Sequence, residues 1–243
     1  MLADAVLLAA GKSTRIAPIS GGVPKPLLLV DGEPILVRNV RWLAGAGVRN
    51  IWVNLHYRGD LIRAALGDGS AWGVRLRYSE EAEILGTAGG VRRVLPELQS
   101  RFLVVYGDNL LELDLEALVA SHVQRRADVS IAVFDERTPN TGIAGGRVTL
   151  GPDDTVVSFV EGPPGTAPAP FINAGVYVVE PGVVRDLPED RVLDWGRDVF
   201  PDLLARGARV FAHRLEGYCL ALDTPACYER GMALIASGQV KLQ

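Results

Sequence analysis

Three short stretches carry residue types that could do chemistry together. The first is Ala9-Ala10-Gly11-Lys12-Ser13-Thr14-Arg15, closed ten residues on by Pro24-Lys25-Pro26. Consecutive backbone N–H groups in a glycine-containing loop form a concavity for anions. Lys12, Arg15 and Lys25 add cationic donors that can neutralise a polyphosphate. Of the 25 basic residues only three are lysine, and two of those sit in this loop. The second stretch is Val105-Tyr106-Gly107-Asp108-Asn109 and the third is Ala221-Leu222-Asp223-Thr224-Pro225. Each puts an aspartate just past an apolar run. Mg²⁺ is usually held by one or two carboxylates together with substrate phosphates, so two such acids and one anion-binding loop form a coherent set. Each acid alone is also ordinary turn or cap chemistry.

Two familiar phosphate motifs do not match. A P-loop would need glycine at position 6, where Val6 stands. A dinucleotide fingerprint would need glycines where Ser13 and Ile16 stand.

The elements that must position these residues are legible as alternating patterns. Ala5 to Ala9 is a short apolar run, as expected of a buried parallel strand. Further strands are predicted at 51–55, 74–78, 102–106 and 129–134. Helices are predicted at 34–46, 60–66, 87–95 and 113–124, with Pro34 at a first helical position and Gly47 as a stop. Strands alternating with helices imply an α/β fold with a mostly parallel sheet, and such sheets bind ligands beyond the carboxyl ends of their strands. After residue 135 the texture changes to strands at 145–150, 155–160 and 172–179, with 151–154 as a turn. A Pro/Gly-rich loop at 162–170, helices near 181–187 and 194–206, and strands at 209–213 and 218–222 follow. Thr224 is placed to cap a last helix that has Pro225 at its first position.

The stations AAGKSTR with PKP, NLHY, YSEEAEILGTAGG, YGDN, FVE, NAGVYV and DTPACY run in order from Ala9 to Tyr228. In that order they resemble the sugar-1-phosphate nucleotidylyltransferases, and LGTAGG and NAGVYV resemble the mannose- and heptose-1-phosphate guanylyltransferase branch. The resemblance implies one nucleotidyltransferase domain over 1–243, with 1–135 mainly the nucleotide half and 136–243 mainly the sugar half. It implies a Rossmann-like mixed, mostly parallel sheet flanked by helices. It implies transfer of a nucleotidyl group from an NTP, GTP first, to a sugar 1-phosphate, with UTP and CTP as alternatives. By the same resemblance, Arg15 and Lys25 are catalytic. Ala9, Ala10, Gly11, Lys12, Ser13, Thr14, Gly86, Thr87, Ala88 and Gly89 bind nucleotide. Glu161, Asn173 and Gly107 bind the sugar, and Asp108 and Asp223 hold Mg²⁺. The chain departs from the family at Ser13, where a second glycine is usual, and at Gly162, where a lysine commonly follows the Glu161 position. Arg147 and Arg197 are the cations considered in place of that lysine.

Composition bounds the remaining classes. With 243 residues, 48% hydrophobic and 22% charged, the chain has the makings of a globular core. A formal net charge of −4 argues against nucleic acid held by bulk electrostatics. Two cysteines, Cys219 and Cys227, and three scattered histidines give no zinc spacing and no disulfide framework. No apolar run approaches a membrane span, and the first residues lack the basic start of a signal peptide, so the expected address is the cytoplasm. A glycosyltransferase and a non-catalytic sensor of nucleotide sugars remain as rival classes, and self-association is left open.

Overall fold

The computed structural model describes residues 2–98, 100–135, 137–142, 145–162, 170–189 and 191–242. The proline-rich part of the predicted loop at 162–170 lies outside them. In chain order the elements are β1 (Asp4–Leu8), α1 (Ala17–Ser20), β2 (Leu29–Val30), β3 (Glu33–Pro34), α2 (Ile35–Gly45), β4 (Asn50–Leu55), α3 (Gly59–Leu66) and β5 (Arg75–Glu80). Then come α4 (Gly86–Val94), β6 (Phe102–Tyr106), β7 (Asn109–Leu111), α5 (Leu115–Arg125), β8 (Val129–Phe134), β9 (Arg147–Leu150) and β10 (Val156–Val160). The chain continues through β11 (Phe171–Val179), α6 (Pro181–Arg185), α7 (Phe200–Ala205), β12 (Val210–Arg214), β13 (Cys219–Ala221) and α8 (Pro225–Ala236).

From Ala5 to Leu8 β1 is apolar, and both its faces are covered. Ala5 and Leu7 pack with Leu36, Val40, Ile62 and Leu118 of α2, α3 and α5. Val6 and Leu8 pack on the other side with Ala88, Val91 and Val94 of α4. Burying each such Val or Leu contributes about 1.5–3 kcal/mol. The parallel half of the sheet runs β5-β4-β1-β6, and β11 joins β6 antiparallel. β8, β9, β10 and β12 extend the same sheet to nine strands. The architecture is therefore the mixed, mostly parallel sheet flanked by helices expected from the sequence.

The chain leaves β1 for β4 on one side, while β6 lies on the other. That is a topological switch point, and the crevice beyond the carboxyl ends of β1 and β6 is where such sheets take ligands. Gly107 closes the strand ends: its N–H donates to the Leu8 carbonyl at 2.9 Å, and a Cβ there would lie 2.9 Å from that oxygen.

Several boundaries differ from the sequence reading for physical reasons. The helix expected at 113–124 starts at Leu115, because the Asp114 carboxylate accepts from the Ala117 N–H at 2.9 Å and caps it. The stretch expected as one helix at 194–206 opens with a π-helical segment, Trp195–Val199, in which Val199 donates to the Asp194 carbonyl five residues back. Pro201 follows and has no N–H to continue a regular ladder. Of the short pair β7–β13, β13 falls within the strand expected at 218–222, whereas no strand is expected at the position of β7. Thr224 does cap α8, accepting from the Cys227 N–H at 3.2 Å.

Candidate functional site

The loop after β1 is anchored at both ends. At its root the Ala9 N–H donates to Asn54 Oδ1 at 2.7 Å, and Asn54 Nδ2 donates to Glu81 Oε1 at 2.8 Å. Glu81 Oε2 in turn accepts from the Leu85 N–H at 2.9 Å. Gly90 makes room for this buried pair, since a Cβ there would lie 2.7 Å from both Asn54 Nδ2 and Glu81 Oε1. Further along, Ile16 is fully buried with Leu28, Val30, Ile35 and Leu220, so the loop carries its own apolar anchor. Ser13 adopts a φ of 57°, the left-handed region where glycine is at ease. Its hydroxyl accepts from the Lys25 N–H at 2.8 Å and ties the two halves of the loop together. Ala9 and Ala10 are buried at the base. Gly11, Lys12, Ser13, Thr14, Arg15 and Lys25 line a lobe of about 250 Å³.

The two aspartates are brought together by β7 and β13. Their antiparallel register pairs Asn109 with Ala221, so Asp108 and Asp223 emerge at the same end. Lys25 Nζ donates to Asp108 Oδ2 at 2.8 Å and also to Asp223 Oδ1. Arg15 reaches Asp223 Oδ2 at 3.5 Å. Burial alone would lower the Lys25 ammonium, and the charges of Asp108 and Asp223 outweigh it, so its pKa stands above the ordinary lysine value. The ammonium is therefore permanently charged at neutral pH. Two carboxylates within reach of one cation can also hold a divalent metal. Among the described residues no group of three or more His, Cys, Asp or Glu side chains is placed to hold one.

A second lobe of about 190 Å³ opens on the other side of the acids. Its wall includes Thr87, Tyr106, Asn109, Glu161, Asn173 and Asp194. Arg15, Asp108 and Asp223 belong to both lobes. The Glu161 carboxyl is raised, first by partial burial and then by the charge of Asp194, with Arg197 acting in the opposite sense. Asn173 is fixed in orientation: Oδ1 accepts from the Gly175 N–H at 3.0 Å and Nδ2 donates to Tyr177 Oη at 2.7 Å.

The expected residues thus divide by place. Arg15, Lys25, Asp108 and Asp223 meet at the junction of the lobes. Glu161 and Asn173 face the second lobe, and so does Thr87 from the Gly86–Gly89 stretch. The Ala88 and Gly89 N–H groups are engaged by the Leu193 carbonyl at 2.9 and 3.2 Å, and Gly86 packs against the same carbonyl. Gly107 lies behind the cleft, where it lets β1 and β6 close. Arg197 acts on Glu161 electrostatically, whereas Arg147 is buried with its Nε unpartnered. Sequence reasoning missed Asn54, Glu81, Tyr106, Tyr177 and Asp194 as parts of the site. Asp194 caps the turn after it, accepting from the Gly196 and Arg197 N–H groups at 3.0 and 3.2 Å, and that ordinary role hid it.

The nucleotidyl transferase family model matches residues 4–220. Mannose-1-phosphate guanylyltransferase of Mycobacterium tuberculosis is 35% identical over 237 residues, covering 97% of this chain and 65% of that one. UTP–glucose-1-phosphate uridylyltransferase of Synechocystis is 29% identical over 251 residues, covering 98% of this chain and 64% of its own. The chain thus spans slightly less than two thirds of the length of these relatives. Among solved structures, HddC from Yersinia pseudotuberculosis complexed with GMP-PN superposes with a TM-score of 0.79 at 26% identity, covering 96% of this chain and 100% of that one.

Proposed function

Because the chain belongs to the nucleotidyl transferase family, we propose that it moves a nucleotidyl group from an NTP, GTP first, to a sugar 1-phosphate, giving an NDP-sugar and pyrophosphate. One observation carries the reading. A basic, glycine-containing lobe and a polar lobe of carboxylates and amides meet at Arg15, Asp108 and Asp223, with Lys25 bound to both acids. A triphosphate suits the first lobe and a polyol suits the second. The reacting phosphorus then belongs at the junction.

In this reading an oxygen of the sugar phosphate attacks the α-phosphorus. The bond from that phosphorus to the bridging oxygen breaks, and its electron pair leaves with pyrophosphate. No protein base is needed, since the second pKa of a phosphate ester is about 6 and the nucleophile is already ionised. What remains is positioning and charge neutralisation. Lys25 neutralises charge at the reacting phosphate, and Arg15 does so at the departing pyrophosphate. Asp108 and Asp223 would hold Mg²⁺, which supplies Lewis-acid neutralisation of phosphate oxygens when bound. The Gly11 to Thr14 backbone cradles the phosphates, and Glu161 and Asn173 bind sugar hydroxyls. The reading places the reaction in the cytoplasm, where NTPs and sugar phosphates are both at hand. No helix among the described residues is long and apolar enough to cross a membrane.

GTP comes first because of the 35%-identical guanylyltransferase and the GMP-PN complex of the Yersinia protein. A glycosyltransferase is less well supported: it would use paired acids at the strand end, but Asp108 is followed by Asn109, whose amide donates to the Ala174 carbonyl at 3.3 Å. The test is a matrix of four NTPs against neutral, amino and acidic sugar 1-phosphates, with products identified by mass. Formation of an NDP-sugar dependent on both substrates supports the proposal. Nucleotide binding without turnover in any pair would refute it.

A further inference from the structure

At the root of the first lobe two backbone N–H groups are joined through a pair of buried side chains. One belongs to Ala9, where the loop leaves β1, and the other to Leu85, the residue that caps α4. Between them stand Asn54 and Glu81, 3% and 4% exposed. The Ala9 N–H can only donate, so the Asn54 atom that meets it at 2.7 Å is the amide oxygen. Asn54 therefore turns its Nδ2 to Glu81, whose Oε1 accepts at 2.8 Å while Oε2 accepts from the Leu85 N–H at 2.9 Å. The main chain of Glu81 is pinned as well. Its N–H donates to the Leu55 carbonyl at 2.8 Å, and His56 Nδ1 lies 2.8 Å from its carbonyl oxygen. Leu85 is held on its other side, where its carbonyl accepts from the Leu193 N–H at 2.9 Å.

The ends dictate the polarity of this bridge. Both ends donate, so the bridge must accept at both. Two amides cannot do that: each passes donation along in one direction, and the last would set its NH₂ against a backbone N–H. One amide and one carboxylate can, because a carboxylate accepts at both oxygens. The bridge thus requires one acid and one amide, in either order. It also occupies the Ala9 N–H, so Ala9 serves the lobe by starting the loop at a fixed place. The far end of the bridge is α4, which is seated in the core through Ala88, Val91 and Val94.

We propose that Asn54 and Glu81 are positioning residues for the NTP: by their matched polarity they moor the root of the 9–15 loop to α4 and so set the place of the backbone that cradles the phosphates. This rests on the nucleotidyl-transfer reading and adds to it two side chains that touch neither substrate. In Glu81→Gln one end of the bridge must face donor to donor. Leu85 is held from behind by Leu193, so the mismatch passes to Asn54 and Ala9 and shifts the loop. A buried N–H that loses its acceptor corresponds to about a tenfold effect.

The experiment uses the full chain and GTP, or whichever of the four NTPs wild type prefers. Affinity is read by titration calorimetry with Mg²⁺ and no acceptor, and kinetics with the best sugar 1-phosphate. Glu81→Gln is expected to weaken NTP binding at least about tenfold while the acceptor KM at saturating NTP stays within about threefold. Asn54→Asp alone sets two acids against each other and should also weaken NTP binding. Asn54→Asp combined with Glu81→Gln restores one acid and one amide in the opposite order. The new carboxylate accepts from Ala9 and from the new amide, whose oxygen accepts from Leu85. NTP affinity should return to within about threefold of wild type, a rescue that a double-mutant cycle isolates. Wild-type NTP affinity in Glu81→Gln, equal losses for both substrates, or a double variant no better than the single ones would overturn the assignment. If Glu81→Gln does not fold by thermal melt, the double variant decides: a folded protein with restored affinity supports the bridge, and anything weaker overturns it. If wild type binds NTP but turns over no sugar 1-phosphate, the transfer reading fails before any variant is made, and the titrations still judge the bridge.

Discussion

Replacing Lys25 by methionine keeps the volume and stem of the side chain and removes only the charge. The structure sets the size of the effect. The Lys25 side chain is 8% exposed and touches two carboxylates, of which Asp223 is 10% exposed and Asp108 is 32% exposed. Removing one partner of a buried ion pair costs about 3–5 kcal/mol, because the other charge is left uncompensated. Arg15 at 3.5 Å from Asp223 and the partial exposure of Asp108 reduce that figure. We expect a loss of about 2–3 kcal/mol for Lys25→Met. For a chain of this size that is a fall in Tm of roughly 4–12 °C. The folded pKa of Lys25 is raised, so its stabilisation is complete below the unfolded lysine value of about 10.4 and fades only as pH rises through the folded value. The deficit should therefore be constant between pH 6 and 9. The bare acid pair left in the variant attracts divalent cations, so Mg²⁺ should raise the Tm of Lys25→Met by more than that of wild type. Differential scanning fluorimetry with and without Mg²⁺ tests both points. An unchanged Tm in Lys25→Met, or an equal Mg²⁺ response in the two proteins, would refute the idea that Lys25 holds the acids together.

Other perturbations follow from single contacts. Gly86 has a φ of 80° and packs on the Leu193 carbonyl, so Gly86→Ala should cost about 2 kcal/mol or more and appear in a thermal melt. Burial lowers the His122 pKa in the folded state despite Glu180 nearby. As pH falls below about 6.5 the unfolded chain takes up that proton first, so stability should decline below this point, and His122→Gln should flatten the slope in a pH series of melts. The thiol of Cys219, in the cleft wall, is pushed up to about 12 by burial and the charge of Asp223. Mass spectrometry after alkylation at pH 7.5 should therefore find native Cys219 unmodified and find it labelled only on unfolding. Asp108→Asn should lower turnover at least about tenfold with little change in Tm, and full activity in that variant would remove Asp108 from the metal site.

How much of this was legible depends on whether a residue advertises one role. β1, β6 and β8 are apolar runs with no other reading, and their positions came straight from the pattern. Arg15, Lys25, Asp108 and Asp223 were legible because cations in a glycine loop and acids at strand ends have few other uses together. Their meeting was not, since it depends on the β7–β13 register, and those strands have only three residues each. Asp194 reads as a helix cap, which it is, and nothing in the sequence tells that its other oxygen accepts from Thr87 at the wall of the second lobe. Tyr106 and Tyr177 sit in apolar strands and read as core. Their rings meet edge-on at the back of the second lobe only when β6 and β11 pair side by side. Gly107 looks like a site residue because it neighbours Asp108, yet its lack of a side chain serves the packing of two strand ends. Ser13 shows the reverse: its type suggests nothing beyond a turn, and its hydroxyl makes the bond to the Lys25 backbone that helps hold the loop.

The central claim is that an oxygen of the sugar phosphate becomes the bridge to the nucleotide's α-phosphorus. It is tested most directly by isotope. A sugar 1-phosphate carrying ¹⁸O in its non-bridging phosphate oxygens is incubated with GTP, Mg²⁺ and the protein, and the products are weighed by mass spectrometry. The account predicts that all the label is retained in the NDP-sugar and that pyrophosphate is unlabelled. Label in pyrophosphate, or an unlabelled nucleoside monophosphate as the only nucleotide product, would contradict it.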